Sequence, residues 1–163
     1  MPGRTLQELL RGQGAHVDPI SAVEGISLEL AGRRLTGAEH TIWQLVSHMN
    51  YWMEYELRAL AGQEVPYPKH AAESWPESSR PASTEMWAAE AGRFRRQVGE
   101  LGAWADRAME PAVGGRIVHP AKRETALDVL WQMTAHNSYH TGQVALLRRA
   151  FGAWPPVGGG DSW

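Results

Sequence analysis

The stretch TALDVLWQMTAHNSYHTGQVALLRRAF, residues 125–151, decides the fold. Within it Val129, Met133, His136, His140, Val144, Leu147 and Phe151 recur at intervals of 4, 3, 4, 4, 3 and 4 residues. That is the period of one buried face of an α-helix. Thr125-Ala-Leu-Asp128 can open it as a capping box, and Gly152 with Trp154-Pro155-Pro156 can close it. A helix over 125–151 follows, with two imidazoles interrupting its apolar seam.

Three further segments share this period. Thr41-Ile-Trp-Gln44 fits a capping box, Ile42, Leu45, Met49, Trp52 and Leu60 follow, and Gly62 stops a helix predicted over 41–61. Ser83 can cap a helix over 83–107, in which Trp87, Ala91, Phe94, Val98, Leu101 and Ala105 form the seam and Arg93, Arg95 and Arg96 a solvated flank. The first segment is a broken helix over 5–30: Thr5-Leu-Gln-Glu8 resembles a capping box, Gly12 and Gly14 interrupt, and Asp18-Pro19 restarts a helix that Gly25 ends. Prolines and glycines mark 62–82 and 109–122 as long connections. No stretch of period two competes, so the fold class is all-α, a bundle of four helices with long crossovers. One domain over 1–157 with a tail at 158–163 is expected.

The chain has 16 basic and 18 acidic residues and a net charge of −2, which argues against holding a phosphate backbone, so no nucleic-acid partner is expected. It contains no cysteine, so thiolate ligands and a cysteine nucleophile are excluded and any metal must be held by His, Asp or Glu. Neither a secretory leader nor an apolar run of membrane-spanning length is visible, which predicts a cytoplasmic protein without a membrane partner. Gly25-Ile-Ser27-Leu-Glu29 lacks the second glycine of a nucleophile elbow. Neither HExxH nor a glycine-rich phosphate loop occurs.

The chemistry therefore rests on histidine. His136 and His140 lie one turn apart, about 6 Å along the helix, and can face one ion. His48 sits on the inward stripe Leu45, His48, Trp52, Tyr55 of the second helix. Three histidines with an open fourth position are the donor set of a catalytic zinc site, but the residues alone leave open a set of hydrogen-bonded core histidines. His40 lies about 12 Å before His48 along the axis, too far for the same ion. His16, in the turn from Gly14 to Pro19, can approach the site but is expected to be solvated, and His70 and His119, in the connections, are expected at the surface. Glu54 is rotated away from His48 and Glu56 is only near its face, so neither is assigned as base or fourth ligand. Gln132 and Gln143 share the face of His136 and His140 and are candidate contacts to the ligands or to substrate.

These residues carry a resemblance. The stretch from Glu39 to Trp52, EHTIWQLVSHMNYW, with His136-Asn-Ser-Tyr-His140-Thr-Gly-Gln143 and Trp75-Pro76 between them, resembles the DinB/YfiT-like metalloenzyme superfamily over roughly residues 14–151. The resemblance implies an up-down-down-up bundle, a divalent ion, zinc or nickel, held by His48, His136 and His140, and a homodimer. Members include S-transferases that use low-molecular-weight thiols, an isomerase and proteins named only for induction by DNA damage. A small-molecule substrate with a thiol cosubstrate is the leading expectation. A metal-dependent hydrolase, a metal-binding stress protein without turnover and a helical interaction module are the alternatives.

Overall fold

The computed structural model describes residues 2–160. Its helices are α1 (Pro2–Leu10), α2 (Pro19–Val23), α3 (Leu28–Ala31), α4 (Ile42–Leu60), α5 (Thr84–Arg107), α6 (Pro111–Gly114) and α7 (Ala126–Ala150), with one 3₁₀ turn at Ala71–Ser74. The long helices start where their sequence can satisfy free N–H groups. Thr41 and Thr125 both form reciprocal capping boxes, with Gln44 and Asp128, and Ser83 accepts from Met86 N. Asp18 caps α2 through Ile20 N, ahead of the proline at the first helical position. The expected broken first helix is α1, α2 and α3. Its first piece begins at Pro2, so Thr5 lies inside the helix and not at its cap.

Contacts between helices give their directions. Trp43 packs edge-on against Trp87, Asn50 donates to Glu90 and Glu54 pairs with Arg93, so numbers rise together and α4 and α5 run the same way. His48 meets His136 and His140, whereas Glu56 meets His119 just ahead of α7, so α4 and α7 are antiparallel. His16 bonds Ser138 and Arg148 bonds Ala22 and Glu24, which sets the first segment parallel to α7. The order is up-down-down-up, and the crossover over 61–83 returns the chain along the length of α4.

That crossover is pinned to α4. Thr41 Oγ1 donates to Ser79 O at 2.6 Å and Trp43 Nε1 to Ser78 O at 3.1 Å. The core between the helices is apolar: Leu6, Ile42, Leu45, Met49, Phe94, Leu101 and Leu130 are almost completely buried. Arg148 is buried as well and donates from Nη1 to Ala22 O and Glu24 O, both at 2.8 Å, and from Nε to Ala153 O at 3.0 Å. It satisfies carbonyls at the end of α2 and beyond α7.

Two expectations about the second connection need correction. The connection over 109–122 was expected to lack regular structure, but it holds α6 and the first strand of an antiparallel hairpin, β1 (Ile117–His119) with β2 (Glu124–Thr125). Strands this short carry too few residues to show a period. His119 is not at the surface: its Nε2 lies 2.7 Å from buried Glu56 Oε2, and its ring stacks on Tyr55 at 5.6 Å. The tail expected over 158–163 lies outside the described residues from 161 onward.

Candidate metal centre

His48 projects from the middle of α4, while His136 and His140 project from successive turns of α7. Antiparallel packing brings the three rings together, with centroids 4.6–5.1 Å apart. His48 and His140 are buried and His136 is half-buried. One nitrogen from each lies within 4.8 Å of the others, so the group could hold a metal ion. Among the described residues no other group of His, Cys, Asp or Glu meets that condition.

The outer nitrogens are occupied. His48 Nδ1 lies 3.3 Å from Ser74 O, His136 Nδ1 3.3 Å from Asn137 Oδ1, and His140 Nδ1 2.6 Å from Gln143 Oε1. Each of these oxygens can accept a ring N–H, and a proton on Nδ1 leaves the Nε2 lone pair for the centre. The Nε2 atoms of His48 and His136 are 3.2 Å apart. Two zinc ligands at 2.0–2.1 Å and a tetrahedral angle would be separated by about 3.3 Å.

The rings are held neutral. Burial, with the neighbouring His140 and His136 rings, lowers His48 to about 3. Burial and then His140 lower His136 to about 4. His140 is lowered by burial, against the opposing hydrogen bond to Gln143. Neutral imidazole is the form that binds a metal.

Trp75, from the crossover, stacks on His48 at 3.8 Å and on His40 at 3.7 Å, its indole lying between the two imidazoles. His40 thus touches the site's support but not its centre, in keeping with the 12 Å spacing. His16 is half-buried, not solvated, and bonds Ser138 Oγ at 2.7 Å. Ser138 is about 200° around α7 from both His136 and His140, so His16 docks on another face. His70 is exposed, as expected. Gln143 contacts His140, whereas Gln132 is exposed and has no described hydrogen bond. Glu54 pairs with Arg93 on the surface, and Glu56 is taken up by His119.

The sequence reading did not assign Ser74, because a backbone carbonyl leaves no residue signature. Trp75 did leave one, a lone tryptophan in a proline-rich crossover whose sequence already belonged to the matching pattern.

An all-α bundle with three neutral histidines converging between two antiparallel helices defines a class with a candidate metal centre. A model of the DinB superfamily matches residues 19–144, a span that includes all three histidines, and the chain belongs to that superfamily. No curated protein and no solved structure matches the chain.

Proposed function

We propose that this is a divalent-metal-dependent enzyme of the cytoplasm in which His48, His136 and His140 hold zinc or nickel, and that it transfers a low-molecular-weight thiol to small electrophiles in detoxification or stress response. The observation that carries this reading is the convergence of three ring nitrogens within 4.8 Å, each ring tied through Nδ1 to an oxygen. The donor set fits the ion: three neutral ligands fixed in tautomer and orientation, with no thiolate to compete. A divalent ion bound there supplies Lewis acidity and lowers the pKa of a thiol or water.

The chain's own residues favour the thiol. Deprotonating water calls for a stronger base than deprotonating a thiol, whose pKa is about 8.5 against about 15.7 for water. The glutamates that flank the site on α4 are committed elsewhere, Glu54 to Arg93 and Glu56 to His119. Trp75 covers the His48 ring and keeps water off that side.

Single-turnover product analysis of the metal-loaded protein, with and without a low-molecular-weight thiol, tests this. Thioether formed only with thiol is the expected result. Hydrolysed product formed without thiol would make the protein a hydrolase. No product over a broad panel of electrophiles, with metal retained, would leave a binding protein without turnover.

A further inference from the structure

Two residues that support the candidate ligands line one cleft. It has a volume of about 390 Å³, opens between α7 and the loop leading into α4, and is lined by Leu35, His40, Leu45, Gln143, Leu146 and Leu147. The cleft borders the candidate centre at three points. Gln143 orients His140, His40 stacks on the Trp75 indole whose other face carries His48, and Leu45 lies one turn before His48 on α4. The loop side is a β-turn. Ala38 N donates to Leu35 O at 3.0 Å, and Gly37, at φ +87°, takes the left-handed third position that a side chain resists. The turn holds Leu35 and Ala38, both half-buried, along the cleft, and Leu45 and Leu147 on the helices are buried.

Charge and hydrogen bonding narrow the occupant. No lysine or arginine lines the cleft, and its one carboxylate, Glu39, turns to solvent with 88% of its side chain exposed. An anion would lose hydration there and meet only that carboxylate. A cation would face the divalent ion expected at the centre. An uncharged molecule bears neither cost. Two polar groups in the lining have no hydrogen-bond partner among the described residues. Gln143 gives its Oε1 to His140 and keeps both Nε2 protons free, and His40 Nε2 lies 3.9 Å from Glu39 Oε2, too far to be satisfied by it. One oxygen acceptor in the cleft would satisfy both. The volume lies near the lower end of the roughly 300–1,000 Å³ of small-molecule pockets, which suits a short body.

We infer that the cleft is the acceptor subsite and takes an uncharged molecule with a short aliphatic body and one carbonyl or epoxide oxygen. The body lies against Leu35, Leu45 and Leu147, and the oxygen accepts from Gln143 Nε2 and the His40 ring. When a thiol opens such an epoxide, its sulfur bonds to a ring carbon, the C–O bond breaks with its electron pair on oxygen, and the thiol's proton ends on that oxygen. Donors at the oxygen therefore act where charge develops. An alkyl halide brings no oxygen and leaves both donors unpaired. Occupancy of the cleft rests on its lining alone; its part in thiol transfer rests on the metal-enzyme reading.

The probe is the unreactive methyl propyl ketone, followed by NMR of the full-length protein with and without metal. It should shift the Gly37 and Ala38 amides and the Gln143 side-chain amide. It should bind at least about 10-fold more tightly than pentanoate and about 3-fold more tightly than pentyl chloride. His40→Phe keeps a ring on Trp75 and removes the donor, so it should weaken the ketone by about 3-fold or more and leave pentyl chloride unchanged. Leu146→Lys, at a position 62% exposed, should bring pentanoate level with the ketone. Shifts confined to other parts of the protein, or pentanoate binding as tightly as the ketone before substitution, would overturn the inference. Shifts in the cleft without competition against thioether formation from the terminal epoxide of pentene would overturn the acceptor role. Ketone binding in a protein that retains no metal and forms no thioether would count against the metal enzyme and leave the cleft assignment standing.

Discussion

The indole of Trp75 lies 3.8 Å from the His48 imidazole, within 7° of parallel. The residue before it supplies the carbonyl that accepts from His48 Nδ1. The crossover therefore fixes both the plane and the tautomer of one candidate ligand. Trp75→Ala should weaken zinc binding by about 10–100-fold, the usual cost of losing a group that orients a ligand, and Trp75→Phe should recover most of it. Competition with a chromophoric chelator measures both, and equal loss in the two variants would mean that stacking is not what matters.

Gln143 plays the same part for His140 at 2.6 Å, while Gln132, on the same face of α7, is exposed. Gln143→Ala should lower metal affinity by about 10-fold or more, and Gln132→Ala should leave it unchanged. Chelator titration of the two variants side by side checks this, with equal effects counting against the role of Gln143.

The metal-free protein should lose stability as pH falls. An unfolded histidine titrates near 6.5, whereas burial holds folded His48 at about 3 and His136 at about 4. Below pH 6.5 the unfolded chain takes up protons that the folded one refuses, so stability present above that pH is lost down to about pH 4 and below. Metal loss, expected below about pH 6 from free imidazole alone, should shift to lower pH for the same reason. Urea unfolding of chelator-treated protein between pH 7 and 5 checks the sign. Imidazole resonances followed by NMR check the assignment, and titration of His48 or His136 near 6.5 would refute it.

Arg148 satisfies three carbonyls from a buried position. Arg148→Ala should destabilise the fold by about 2–4 kcal/mol by leaving those acceptors without a donor. Arg148→Lys should recover little, because one ammonium cannot reproduce the spread of the guanidinium. The urea midpoint, at unchanged slope, is the readout.

The helices were legible because caps and seams are local: Thr41, Ser83 and Thr125 each bond within their own first turn. His48, His136 and His140 were legible because a polar residue on an apolar seam contradicts its neighbours. What escaped depends on pairing between distant segments. Glu56 draws His119 inward across 63 residues, and Arg148 reaches carbonyls 124 and 126 residues away. His16 finds Ser138 at a separation of 122. No period or spacing in the sequence encodes such meetings.

The convergence of His48, His136 and His140 on one ion is tested most directly by metal content. Protein purified without an affinity tag and dialysed should carry one divalent ion per chain by plasma mass spectrometry. His48→Ala, His136→Ala and His140→Ala should each reduce this to a small fraction while the helical circular dichroism is retained. Unchanged stoichiometry in these three variants would contradict the account.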